Sequence, residues 1–170
     1  MKDKATEMLE GIADYLKDNA LRLATAESCT AGLVVSELAR IPGSGGCLDC
    51  GLAVYSPESK NRYLNVSFDT IDQHGLTSEP VALEMAMGAI DRNDANIALS
   101  NTGVAGPASG DDDTPVGTVC FAWAVRRRDK TLTYTETRHF DGDRNEVRLA
   151  AAHYALQQLP RYHRKAMDES

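Results

Sequence analysis

Short apolar runs that each break into a loop, and that are kept apart by helical patterns, are what most constrain this chain. Residues 21–25, 52–55 and 97–100 have the length and composition of buried strands, and helical stretches separate the first from the second and the second from the third. Strands separated by helices pair in parallel, with the connecting helices lying on the faces of the sheet. Residues 117–125 and 131–140 break the pattern. They are β-branched and aromatic and follow one another across the basic turn Arg126-Arg127-Arg128, as the arms of a hairpin do. Parallel strands early and a hairpin late predict a three-layer α/β/α sandwich built on a mixed β-sheet.

The helices are legible from their ends and apolar faces. Residues 4–19 carry Ala5, Met8, Leu9, Ile12, Tyr15 and Leu16 at spacings of three and four, one buried face of an amphipathic helix. A second helical run extends to about Arg40 and stops at the loop 41–46, where a proline and three glycines exclude regular structure. Ser56, Pro57 and Ser59 fit N-cap, N1 and N3 of a third helix. Ser78-Glu79-Pro80 opens another, with Val81, Met85, Met87, Gly88 and Ile90 as its face, and Asp143 caps a closing helix containing Val147, Leu149, Ala150, Tyr154 and Leu156. No repeat or linker interrupts the pattern, so one domain is expected over 1–170, with a core at about 5–160 and a short polar C-terminal tail.

Charge and composition narrow the partners. A net charge of −7 argues against non-specific nucleic-acid binding, which depends on neutralising phosphates. No stretch approaches the roughly 20 apolar residues of a bilayer span, and the charged N-terminus lacks a signal-peptide pattern. The expectation is a cytoplasmic protein that acts on a small molecule and engages neither nucleic acid nor membrane. Cys47 and Cys50 form a lone C-x-x-C, with Cys29 and Cys120 elsewhere. With no second pair or histidine cluster beside them, reduced thiols rather than a zinc site are expected.

In open α/β sheets ligands collect at the carboxyl ends of the strands, which directs attention to Thr25–Gly32 and Thr102–Pro107. Ser28 stands at the apex of the first of these turns. It reads either as a helix cap that satisfies free amides or as a nucleophile held against a helix N-terminus. A nucleophile needs a base, yet His74, His139, His153 and His163 all lie outside the glycine-bearing loops. Lys60, near the first turn of the helix after Tyr55, is the better placed base if burial lowers its pKa. Alone it would read as a solvated surface lysine; its weight comes from the combination with Ser28 and Tyr55.

Seven blocks in order, A-E-S-C-T-A-G, P-G-S-G-G, Y-S-x-x-x-K, H-G-x-x-S-E-P-V, N-T-G-V-A-G-P, P-V-G-T-V and F-D-G-D-R, resemble the C-terminal domain of the CinA competence-damage-inducible family. The resemblance runs from about Leu9 to Leu159. That family includes a stand-alone nicotinamide-nucleotide amidase. The resemblance therefore implies hydrolysis of the carboxamide of nicotinamide mononucleotide to nicotinate mononucleotide and ammonia, with no metal or other cofactor. It implies Ser28 as nucleophile, Lys60 as base, and Tyr55 sharing the proton network and orienting the lysine. Thr102 and the amides from Gly103 to Gly106 would contact the substrate and its oxyanion, Arg144 would hold the phosphate, and Thr30, Gly32 and Ser44 would also fall at the substrate. It further implies a homo-oligomer.

The chain departs from the family pattern at Ala31, where glycine is usual, at Gly45, where a second hydroxyl is common, at Asn101, and in the acidic run Asp111-Asp112-Asp113. These departures leave room for a catalytically weak or silent paralogue that binds a nucleotide or a protein partner. A cysteine hydrolase using Cys29 is a further rival. A kinase or NTPase is disfavoured, since the sequence contains neither G-x-x-x-x-G-K-[ST] nor G-x-G-x-x-G.

Overall fold

The computed structural model describes residues 1–110 and 112–169. It is a three-layer α/β/α sandwich, as expected. The elements run α1 (Lys4–Asp18), β1 (Leu23–Glu27), α2 (Leu33–Ala39), β2 (Leu48–Ala53), α3 (Pro57–Leu64), α4 (Phe68–His74), α5 (Glu79–Asp91), β3 (Ile97–Gly103), β4 (Thr118–Arg127), β5 (Lys130–His139), α6 (Arg144–Gln157) and α7 (Leu159–Asp168). The sheet order is β2-β1-β3-β4-β5. β1 pairs in parallel with both β2 and β3, while β3–β4 and β4–β5 are antiparallel.

Strict alternation gives the sheet two unlike faces. Leu23, Ile97, Leu99, Val119, Phe121, Trp123 and Val125 point to one side and pack with buried residues of α1, α2, α6 and α7. Trp123 lies deep in this layer. Its indole N–H donates to the Ala155 carbonyl at 3.0 Å, and its ring stacks on Tyr162 with centroids 4.5 Å apart. The other side presents mainly small residues, Ala24, Ala26, Ala98, Cys120, Ala122 and Ala124, with Leu52 at the edge. α5 settles onto that shallow face, and its outer side meets α3 so closely that a Cβ on Gly88 would lie 2.0 Å from the Leu64 carbonyl oxygen.

Several elements differ from the sequence reading. β1 ends at Glu27 rather than residue 25, so Ser28 is the first residue beyond the strand. β2 runs from Leu48 to Ala53, not 52–55, and leaves Val54 and Tyr55 outside it. Its Asp49, Cys50 and Gly51 have little strand propensity and are held by pairing with β1. Leu149 is exposed, because the buried face of α6 is Val147, Ala151, Ala152, Ala155 and Leu156. Residues read as a polar tail form most of α7, where Leu159, Tyr162, His163 and Ala166 recur at helical spacing and are buried. Charged neighbours hide that stripe in the sequence. Among the described residues no helix is long and apolar enough to cross a membrane.

The backbone contact at Gly88 supports a direct test. In an open helix Gly→Ala stabilises by about 1 kcal/mol, but here the methyl meets an immovable carbonyl, and overpacking costs about 1–3 kcal/mol. Gly88→Ala should lower the urea midpoint, and an unchanged or raised midpoint would mean that α3 and α5 are not in backbone contact.

Candidate active site

The turn after β1 is organised from beneath by Glu27. Its carboxylate is fully buried and accepts from the Thr25 hydroxyl at 2.9 Å, the Thr30 hydroxyl at 2.6 Å, and the amides of Gly32, Val34 and Val35 at 3.1, 2.8 and 3.2 Å. The side chain thus takes the free amides that open α2. Ser28 therefore does not sit against a helix N-terminus, contrary to the sequence reading. Asn101 braces the turn from β3: its carbonyl accepts the Ser28 amide at 3.1 Å and its Nδ2 donates to the Thr30 hydroxyl at 2.7 Å. Ala31 and Gly32 then take φ of +49° and +95°, which reverses the chain into α2. The left-handed Ala31 costs roughly 1 kcal/mol that glycine would not.

Lys60 reaches this turn from α3. Ser56 caps that helix, its hydroxyl accepting the Ser59 amide, and Pro57 occupies its first turn. Side chains on a helix lean toward its N-terminus, so Lys60 folds back toward the residues that precede the cap. Its Nζ lies 3.1 Å from the Val54 carbonyl, 2.7 Å from the Tyr55 carbonyl and 3.0 Å from Ser28 Oγ. Lys60 is 1% exposed, and all three partners are oxygens of neutral groups. Burial lowers its pKa from 10.5 to about 8, although the Cys29 thiol pulls the other way.

The partner set dictates where the proton goes. A neutral amine has two N–H donors and one lone pair. Two carbonyls can only accept, so they take the two donors and leave the lone pair directed at Ser28, whose hydroxyl can then donate. In this arrangement the amine can accept the serine proton. Cys29 also lines the cavity, but burial pushes its thiol up to about 12 and its Sγ donates to Asn101 Oδ1, an environment that keeps a thiol protonated.

Ser28 and Lys60 open into a cavity of about 790 Å³ at the carboxyl end of the strands, with Tyr55, Thr102, Gly103, Gly106 and Arg144 also on its walls. Ile71, Leu76, Val104 and Pro107 supply apolar surface. Tyr55 touches the lysine through its carbonyl; its hydroxyl accepts instead from Arg144 Nη2 at 3.1 Å. Arg144 Nη1 also donates to the Gly106 carbonyl at 2.5 Å. The Thr102 hydroxyl is spent on the Leu76 carbonyl at 2.8 Å, so it anchors the 75–77 loop. Among the described residues the amides of Ala105 and Gly106 meet no acceptor.

Thr30, Gly32 and Ser44 are not brought to the cavity. Thr30 is fully buried, with its hydroxyl held by Glu27 and Asn101. Gly32 serves the chain reversal. Ser44 lies in a turn leading into β2, at the opposite end of the parallel strands from Ser28, so Gly45 beside it is equally remote. Of the acidic run, Asp111 lies outside the described residues and Asp112 lines the cavity; hydrogen bonds from Thr114 hold the Asp112 carboxyl below the usual range. No histidine lines it. Among the described residues no cluster of three or more His, Cys, Asp or Glu is placed to hold an ion.

Fold and site together describe an α/β protein with a buried serine–lysine pair at the carboxyl edge of a mixed sheet. The chain belongs to the CinA C-terminal domain family, whose model matches residues 5–163. It is 42% identical over 153 residues to the nicotinamide-nucleotide amidohydrolase PncC of Shigella flexneri, covering 90% of this chain and 91% of that one. It is 43% identical over 146 residues to a CinA-like protein of Chlorobaculum tepidum, where the match covers 84% of this chain and spans 34% of the relative's length. The crystal structure of the competence/damage inducible protein CihA from Agrobacterium tumefaciens matches with a TM-score of 0.86 at 35% identity, covering 96% of this chain and 98% of that one.

Sequence reasoning missed Glu27, Asn101 as a brace, and Arg148, whose guanidinium donates to the carbonyls of Cys29 and Thr30 at 3.0 and 3.1 Å. The one sequence signal for Arg148 is its position four residues after Arg144, on the same helical face.

A buried lysine whose pKa falls on folding costs stability wherever both states are protonated. Below about pH 8 the full cost stands; from 8 to 10.5 the unfolded chain keeps a proton that the native state has lost, so stability rises with pH. Lys60→Met should therefore stabilise the protein at pH 7, by up to about 3 kcal/mol, with a smaller gain at pH 10. Urea midpoints at the two pH values check this, and a variant less stable at pH 7 than at pH 10 relative to wild type would refute it.

Proposed function

We propose that the chain is an amidohydrolase that deamidates nicotinamide mononucleotide to nicotinate mononucleotide and ammonia, with Ser28 as nucleophile and Lys60 as base. The observation that carries this reading is the 3.0 Å approach of Lys60 Nζ to Ser28 Oγ, with both other amine contacts made to carbonyls. The name of the Shigella relative supports the substrate. Lys60 takes the Ser28 proton as Oγ attacks the carboxamide carbon. The ammonium then returns that proton to the departing nitrogen and ammonia leaves an acyl-serine. Lys60 next deprotonates a water that attacks the ester, and the proton goes back to Ser28 as the carboxylate is released. The Ala105 and Gly106 amides are the candidate donors to the oxyanion, and the cavity is of a size usual for such ligands.

Arg144 is the candidate phosphate anchor. It stands on the cavity wall in the first turn of α6, and a planar guanidinium suits the oxygens of a phosphate. Asp112 shares the cavity and opposes an anionic ligand. It is the departure that gives the alternative of a catalytically silent nucleotide-binding paralogue its support; binding of nicotinamide mononucleotide without ammonia release would favour that alternative. Self-association belongs to the same proposal, and sedimentation velocity tests it.

Three measurements test the activity. Ammonia release from nicotinamide mononucleotide should rise with pH and reach half its plateau near pH 8, as Lys60 loses its proton; a profile that falls above neutrality would point to another base. Ser28→Ala and Lys60→Ala should each remove nearly all turnover, with the double variant little worse than either. Arg144→Ala should lower kcat/KM for the mononucleotide by about ten- to a hundredfold, the worth of a charge-assisted contact, and leave the phosphate-free riboside much less affected. Equal losses would assign Arg144 to the cavity wall alone.

A further inference from the structure

We infer that Arg148 is a positioning residue that holds the Ser28 turn in its reactive geometry; the inference rests on the reading of Ser28 as nucleophile. The Ser28 carbonyl is held by the Ala31 amide at 3.1 Å, so the next two peptides, those of the Cys29 and Thr30 carbonyls, fix how the turn carries Ser28 Oγ toward Lys60. Glu27 fixes the turn from beneath and Asn101 from the side, but neither holds the Cys29 carbonyl. Among the described residues its one donor is Arg148 Nε at 3.0 Å. Arg148 Nη2 spans to the next carbonyl, Thr30, at 3.1 Å, and Nη1 reaches the Asn145 side chain at 3.2 Å. Cys29 and Thr30 are buried, so an unmade bond there has no full replacement from solvent. The planar guanidinium supplies two bonds of fixed relative direction, which a lysine cannot.

The origin of this side chain matters as much as its bonds. Arg148 lies one helical turn after Arg144, on the same side of α6. Arg144 grips the Gly106 carbonyl and the Tyr55 hydroxyl, while Arg148 grips the nucleophile turn. One helix thereby holds three loops that come from β1, β2 and β3. Unlike Glu27, Arg148 is partly exposed, so its loss need not dismantle the core.

Arg148→Met keeps an unbranched stem and removes the donors, and Arg148→Lys keeps the charge. With nicotinamide mononucleotide, Arg148→Met should lower kcat by about ten- to a hundredfold, as a small misplacement of a reacting group does. KM should change by no more than about threefold, the pH midpoint should stay near 8, and Arg148→Lys should recover part of the loss. Acylation of Ser28 by p-nitrophenyl acetate, followed by mass spectrometry, should slow to the same degree. Normal acylation and kcat with only a lowered melting temperature would overturn the inference and assign Arg148 to folding. A rise in KM confined to phosphate-bearing substrates would overturn it in favour of ligand binding. If wild type is acylated at Ser28 but releases no ammonia from the mononucleotide, the substrate reading fails and the acylation ratio still decides the role of Arg148. If wild type is not acylated at Ser28 and releases no ammonia, the nucleophile reading and this inference fall together.

Discussion

The site depends on a carboxylate that never meets its solvent. Glu27 ends β1, an interior strand, with its side chain turned into the α2 side of the sheet, where an isolated charge would be prohibitively costly. Five donors make it tolerable, two hydroxyls and three amides. Each donor is a point of the chain that must come to Glu27 rather than elsewhere, so the chain reversal at Ala31 and Gly32, the start of α2 and the orientation of Thr30 all follow from satisfying one group. Ser28 is left as the single hydroxyl of the turn that faces outward. Because Glu27 consumes the amides of Gly32, Val34 and Val35, those amides are not free to face the cavity.

Lys60 shows the opposite economy. Its amine is buried without a counter-ion, so the fold is less stable than it would be with an apolar side chain there. That deficit is what moves the amine toward neutrality near physiological pH. The two carbonyls at the N-terminal approach to α3 orient it. A carboxylate in their place would hold the proton on the lysine. Geometry and pKa therefore come from one local feature, a helix that begins right after an edge strand.

Periodicity made the fold legible: the alternation of strands and helices and the late hairpin determine the mixed sheet, and cap residues marked the starts of α3, α5 and α6. Ser28 and Lys60 were legible as a pair because the glycine-poor histidine surroundings removed the usual base and the motif blocks pointed to a lysine. The rest is written in contacts between distant residues. Glu27 looks like any strand-end acid until its five donors are seen. Asn101 reads as an oddity beside the family pattern, yet it braces the nucleophile turn. Thr30, Gly32 and Ser44 sit in recognisable blocks, but two support the turn and the third lies at the far end of β2. Tyr55 is expected to share the proton network and orient the lysine, and its contact with Lys60 is made by its backbone carbonyl. α7 escaped notice because charged residues crowd its apolar stripe.

The single tryptophan of the chain lies beneath α6 and α7, stacked on Tyr162 of α7 and bonded to a carbonyl of α6, and it forms no part of the cavity wall. Intrinsic fluorescence is therefore a reporter of one layer. It follows the undocking of the two C-terminal helices from the sheet and is optically indifferent to occupation of the site. Emission changes on adding a ligand would signal strain transmitted through α6, the helix whose arginines reach the cavity.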